Sequence, residues 1–225
     1  MPLVALAVAP GLFWLWYFLQ RDRLRPEPRY LVRRVFLLGG LAAPMAGLVQ
    51  FGVFRAAGLH HQQPGGWELV IVAALIGVIE EGLKFAAVFV GVYRNAEFNE
   101  VLDGIIYMVA ASLGFATVEN LVYVLQGGAS IGVVRALLSV PGHAFFGALM
   151  GFYMGVAKFA GPRENRWLVR GFALAAFAHA AFDAVLLGRT VLGLAVIPIV
   201  LILWQRAVVH SREALALDNQ RMGGA

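Results

Sequence analysis

The sequence predicts an all-α protein, a polytopic transmembrane helical bundle of about seven or eight helices with its N-terminus outside and its C-terminus cytoplasmic. Three observations predict it. Hydrophobic residues make up 60% of the 225 and charged residues 14%, against roughly 25% charge in soluble domains, and the mean hydropathy is +0.76. Seven apolar stretches approach or exceed the roughly 20 residues that cross a hydrocarbon core. The basic residues fall in alternate loops, as membrane topology requires. The chain reads as one integral membrane domain over 1–225, with no soluble domain or low-complexity linker.

The first stretch, 2–19, has no basic start and no small-residue cleavage site. It ends in Trp14, Trp16 and Tyr17, an aromatic belt, so it reads as a retained anchor. The loop behind it carries Arg21, Arg23, Arg25, Arg29, Arg33 and Arg34 and is assigned to the cytoplasm. The further spans are 35–54, 68–93, 101–125, 130–157, 169–187 and 190–209, the long third and fifth being expected to tilt or kink. Backbone in lipid must pair within its own segment, so these are helices; the ten-residue alternation of a membrane barrel is absent. The other inner segments hold Arg94, then Lys158, Arg163 and Arg166, then Arg206, Arg212 and Arg221. The outer loops hold Arg55, no basic residue near Gly127, and Arg189. Both sides agree with an odd number of spans.

Composition also excludes classes of function. There is no cysteine, which removes disulfides, thiolate nucleophiles and cysteine-ligated metals. The net charge of +5 is accounted for by the inner loops. No basic stripe interleaved with aromatics is present, so nucleic acid is not expected as a partner.

Ionisable groups inside a membrane are costly and mark function. Glu80, Glu81 and Lys84 lie near the middle of the third span, Glu119 and Asn120 toward the outer end of the fourth, His143 near the middle of the fifth, and His179 and Asp183 in the sixth. Glu80 and Lys84 are four apart and share a helix face, as do His179 and Asp183. Glu81 is turned by about 100° toward a neighbouring helix. Glu80, His143 and His179 fall at similar depth, so three helices present a carboxylate and two imidazoles at one level.

Each residue also has a structural reading. Glu80 with Lys84 can be an ion pair that fixes packing, and a membrane histidine can serve as an interhelical hydrogen-bonding group. Glu119 with Asn120 is read as capping a helix end, Asp103 as a first-turn carboxylate, and Arg135 as a side chain that snorkels to the interface. His60 and His61 read as solvated loop residues. Gly39, Gly40, Gly47, Gly147, Gly151 and Gly155 are spaced for close helix approach. Packing alone does not require two adjacent glutamates, a third glutamate, two histidines and an aspartate on four spans.

Peptide hydrolysis needs an activated water, a polarised carbonyl and a proton for the leaving amine, which glutamate and histidine supply. A zinc site would take His143 and His179 with Glu119 or Asp183. The alternative is a metal-free site in which Glu80 activates water and the histidines orient it. The sequence H-E-x-x-H is absent, and Ser112 and Ser139 have no evident base.

Four segments in order carry a resemblance: Glu80-Glu81-x-x-Lys84-Phe85; Asp103-Gly104-Ile105-Ile106-Tyr107 with Gly114-Phe115-Ala116-Thr117-Val118-Glu119-Asn120; His143-Ala144-Phe145-Phe146-Gly147; and His179-Ala180-Ala181-Phe182-Asp183. Together they resemble the PrsW family of intramembrane proteases, which is distantly allied with the type II CAAX prenyl endopeptidases and the Abi-type membrane proteins. The motif core covers about 65–190. Glu119 stands where CAAX-type relatives carry a histidine, and Leu102 where a phenylalanine commonly precedes the aspartate. The resemblance implies a peptidase of the bacterial cytoplasmic (inner) membrane, often classed as a metallopeptidase. It implies cleavage of a single-span membrane protein, such as an anti-sigma factor, on the outer side of the bilayer. It implies a catalytic centre of Glu80, Glu81, His143 and His179, with Lys84 and Asn120 supporting it. The rival readings are a CAAX-type prenyl-protein protease, a proton-coupled transporter using the same residues as a relay, and a scaffold that binds partner helices through its glycine faces. Homo-oligomerisation is left open.

Overall fold

The computed structural model describes residues 2–22, 25–60, 64–188 and 191–223; Arg23, His61 and Arg189 lie outside them. Among the described residues there are seven α-helices: α1 (Pro2–Leu19), α2 (Arg29–Ala57), α3 (Trp67–Gly91), α4 (Val101–Leu137), α5 (Ser139–Lys158), α6 (Glu164–Leu187) and α7 (Val196–Gly223), with short 3-10 turns at Gly161–Arg163 and Val191–Ala195. No strand occurs among the described residues. The protein is a helical membrane bundle. Among the described residues five segments are long and apolar enough to cross a membrane, one of them, Val101–Lys158, containing both α4 and α5. Helix α3 has the length, but Glu80, Glu81 and Lys84 at its centre keep it outside that set.

The bundle is built around α4 and α5. Every residue from Val101 to Ala116 is buried, as is nearly all of α5. Small residues make this contact possible. Gly147, Gly151 and Gly155 lie on one face of α5, and a methyl group on Gly151 or Gly155 would collide with the backbone of Gly104 or Val101. Lipid gives no hydrophobic push between helices, so such close approach supplies the dispersion contacts that hold them. Gly114 and Gly39 do the same between α4 and α2, and Gly77 does so against Ala176 of α6. Gly47, expected at a helix contact, is exposed with nothing within 4 Å of a Cβ.

The outer helices show the periodicity that lipid imposes. On α2, Leu31, Val35, Gly39, Ala42 and Ala46 are buried, while Leu37, Leu41, Met45 and Leu48 face outward. Both sets repeat every three or four residues, giving two opposite stripes of one helix. Helix α2 begins at Arg29, six residues before the expected span, directly after Pro28. It ends where Gly58 adopts φ 65° and the Leu59 N–H bonds the Phe54 carbonyl at 2.9 Å, a left-handed C-terminal cap.

Two breaks differ from the expected spans. A loop was expected between 125 and 130. Instead the chain stays helical to Leu137, interrupted only at Gly128 (φ 75°, ψ −168°), a conformation open to glycine. A second break at Leu138 (φ −121°, ψ −57°) precedes α5. His143, expected near mid-span, therefore sits in the second turn of α5. Glu119 and Asn120, expected to cap a helix end, lie well inside α4. The last helix starts at Val196 and runs to Gly223, well past the expected end at 209.

The arginine-rich end is closed by carboxylates from three elements. Glu100 and Asp103 form a capping box at the start of α4. Asp218 of α7 accepts the N–H groups of Val101 and Leu102 at 2.7 and 3.1 Å. Asp22 accepts the Glu27 N–H at 2.9 Å, and Tyr107 donates to Glu27. Burial first, and the neighbouring acids after it, push Asp22 up to about 6. Burial and then the Asp103 carboxyl push Glu27 up to about 9.

Candidate active site

Four helices bring the intramembrane polar residues into one hydrogen-bonded network. Helix α3 supplies Glu80, Glu81 and Lys84, α4 supplies Glu119 and Asn120, α5 supplies His143, and α6 supplies His179 and Asp183. Lys84 Nζ lies 2.8 Å from Glu81 Oε1, 3.5 Å from Glu80 Oε2, and 2.9 Å from His143 Nδ1. It also sits over the Phe115 ring, 4.2 Å from the centroid. The i,i+3 pair with Glu81 is thus closer than the i,i+4 pair expected with Glu80. An ammonium has no acceptor, so His143 Nδ1 accepts from Lys84. The hydrogen of neutral His143 is then on Nε2, which donates to Glu119 Oε2 at 3.0 Å.

His179 is held differently. Its Nδ1 donates to Glu81 Oε1 at 2.8 Å, and its ring stacks on Phe146 at 4.7 Å. A carboxylate on one imidazole nitrogen fixes the ring and directs the other nitrogen. That other nitrogen, Nε2, faces Asp183 Oδ2 at 3.5 Å and Glu80 Oε2 at 3.8 Å. Glu80 Oε2 is buried and has no hydrogen-bond partner. Three acceptor atoms thus converge, with the Lys84 ammonium, 3.5 Å from Glu80 Oε2, as the nearby cation; a proton on Nε2 or a metal cation would balance the remaining negative potential.

Two of these residues also belong to a group that could hold a metal ion. Glu80, His143 and His179 are buried and each offers a ligand atom, all within 4.8 Å of one another. Oxygen and imidazole donors suit zinc. His179 Nε2 is already free for ligation. His143 has both nitrogens engaged, so it would have to exchange its Lys84 or Glu119 bond for the ion. Glu119 Oε2 is taken up by His143 and, at 2.9 Å, by Arg135; it is not among the three converging residues.

Two residues join the site that the sequence did not single out for it. Gln50 of α2 donates from Nε2 to Glu80 Oε1 at 3.2 Å, leaving Oε2 as the oxygen without a hydrogen bond. An amide in an otherwise apolar span was the available signal. Arg135 does not snorkel. It turns inward to Glu119, donates from Nε to Asn120 Oδ1 at 3.1 Å, and covers the Tyr123 ring at 4.0 Å. Asn120 in turn donates to the Ala7 carbonyl at 3.0 Å, tying α1 to the site. Ser112 is buried with an unpartnered hydroxyl, in tight contact with Gly147. Asp103 serves the helix start, and His60 of the loop pairs with Glu68 in the first turn of α3 at 3.2 Å.

The profile described as PrsW family intramembrane metalloprotease matches residues 27–208, a span that contains every residue of this network. The chain belongs to the PrsW family. Protease PrsW of Geobacillus kaustophilus is 38% identical over 94% of this chain and 92% of its own length. Protease PrsW of Bacillus subtilis is 31% identical over 98% of this chain and 99% of its own. Protease PrsW of Clostridioides difficile is 32% identical over 82% and 79%. No solved structure gives a significant match. The protein is accordingly an integral membrane peptidase of a family described as metalloproteases.

Proposed function

We propose that this peptidase cleaves single-span proteins of the bacterial cytoplasmic membrane, an anti-sigma factor being the substrate type that the family resemblance suggests. The cut falls in the outer half of the bilayer. Helix α3 enters from the end opposite the arginine-rich loop, and His143 lies in the second turn from that same end of α5. Glu119 and Asp183, the site carboxylates nearest that end, have side chains 22% and 17% exposed, against 0–8% for Glu80 and Glu81.

The observation that carries the reading is Glu80 Oε2, a buried carboxylate oxygen with no hydrogen-bond partner and only the longer ion pair to Lys84 at 3.5 Å, beside two imidazoles. In the proposed reaction Glu80 takes a proton from water as the water oxygen bonds to the scissile carbonyl carbon. It passes that proton to the amide nitrogen as the C–N bond breaks, yielding a carboxylic acid and an amine. Gln50 holds the other oxygen of Glu80 and aims the base. Glu81 and Lys84 are positioning residues, Glu81 fixing His179 through Nδ1 and Lys84 fixing Glu81 and His143. Of the three converging residues we assign His143 and His179 to holding a zinc ion, with Asp183, 3.5 Å from His179 Nε2, taking the third place instead of Glu80, which is then free to act on water. When bound, zinc supplies Lewis-acid polarisation of the carbonyl.

The test is cleavage of tagged single-span membrane proteins by purified protein in proteoliposomes. Wild type is expected to cut, and Glu80→Gln to fold normally and not cut. A folded Glu80→Gln that cleaves at the wild-type rate removes Glu80 as the base.

A further inference from the structure

The network is closed. Glu81 and Lys84 are fully buried, and Glu80, His143 and His179 are no more than 6% exposed, so no peptide bond reaches them without a movement of the surrounding helices. Most walls of the site are poor candidates for that movement. The α4–α5 and α2–α4 contacts are backbone against backbone at glycine, and α3 meets α6 in the same way at Gly77.

The segment between Gly128 and Leu138 is built otherwise. It is bounded by two breaks in helical geometry, and Gly128 has open space around it. Ile131, Val133, Val134 and Leu137 all face outward. Its inward holds are few: Gly132 against Leu6 and Val124, Leu138 against the bundle core at the segment's end, and Arg135 on Glu119, Asn120 and the Tyr123 ring. Arg135 thus bridges this segment to Glu119, the network carboxylate with the most exposed side chain.

We propose that the segment from Gly128 to Leu138 is the lateral gate through which a substrate's unwound backbone reaches the site, and that Arg135 is its latch. The proposal rests on the protease reading and adds the way in. When Arg135 releases Glu119 and Asn120, the segment swings on its two breaks away from Leu6, opening the side where Glu119 and Asp183 lie. A substrate carboxylate or peptide carbonyl is a suitable alternative partner for the freed guanidinium, so substrate binding itself would favour the open form.

The chain has no cysteine, so an introduced pair is the only source of a disulfide. A Cβ at Gly132 would lie 3.0 Å from Leu6 Cγ, about where a cysteine sulfur would be placed, which suits a disulfide. The double variant Leu6→Cys/Gly132→Cys is expected to lose cleavage of a membrane-spanning substrate on oxidation and regain it with dithiothreitol, while either single variant is indifferent to both. Equal cleavage by cross-linked and reduced protein overturns the gate and leaves the protease reading intact. A second arm needs no activity. Spin labels on cysteines at Val4 and Val133, both exposed, are expected to give one distance in the otherwise unaltered chain and an added longer one with Arg135→Gln. An unchanged distribution in that variant overturns the latch, whatever the protein cleaves.

Discussion

Replacing Lys84 by methionine tests the account of how the site is held together. Lys84 and Glu81 are both fully buried and 2.8 Å apart. Methionine keeps most of the side-chain volume and its contact with Phe115, but removes the ammonium from Glu81, Glu80 and His143. Breaking a buried pair by deleting one partner costs about 3–5 kcal/mol, because the remaining charge stays desolvated. That is a large part of a typical stability of about 5–15 kcal/mol. Unfolding in mixed micelles by increasing dodecyl sulfate, followed by the fluorescence of the five tryptophans, measures the loss. The double variant Glu81→Gln/Lys84→Met removes both charges and is expected to recover a substantial part of it. The cycle of single and double variants isolates the coupling. A Lys84→Met protein as stable as wild type, or a double variant no more stable than Lys84→Met, would refute the buried pair as the element that organises the network.

The remaining predictions concern other links. Glu27 is held well above its ordinary range, so its contribution is full below about pH 4.5, declines as the pH rises, and is lost once the pH passes about 9; melting temperatures across that range should show the decline in wild type and a flatter profile in Glu27→Gln. Gly151→Val forces a side chain into the Gly104 backbone and should cost about 1–3 kcal/mol or more in micelle unfolding, whereas Gly47→Ala, facing open space, should be neutral or slightly stabilising. Gln50→Leu frees Glu80 Oε1 from its donor; steady-state assays should show a lower kcat with little change in KM, and an unchanged kcat would remove Gln50 from the site.

Much of the site was legible because helical phase is a strong constraint. Once the spans are helices, Glu80 and Lys84 must share a face, Glu81 is turned toward a neighbouring helix, where it meets His179, and His179 must align with Asp183. The glycine stripe on α5 was legible for the same reason, since only small residues at that spacing let two helices touch along their backbones. What the sequence hid is conformational or distant along the chain. The inward turn of Arg135 depends on the backbone at Gly128, and a Gly127-Gly128 pair reads equally well as an ordinary loop. That misplaced boundary also moved His143 from mid-span to the second turn of its helix. Lys84 is three residues from one glutamate and four from another, and only packing decides which it approaches more closely. Asp218 caps α4 from 117 residues away, a pairing that no local pattern contains. Gln50 acts through a single hydrogen bond across two helices, and one amide in an apolar span carries little periodic signal.

In the proposed mechanism Glu80 acts on water beside an ion held by His143, His179 and Asp183. The most direct test is the metal content of purified Glu80→Gln and Asp183→Asn, measured by mass spectrometry alongside their cleavage of a membrane-spanning substrate. The account predicts that Glu80→Gln retains the wild-type complement of zinc and cuts nothing, while Asp183→Asn loses both metal and activity. A wild-type protein that cuts without bound metal, or a Glu80→Gln that keeps cutting, would contradict it.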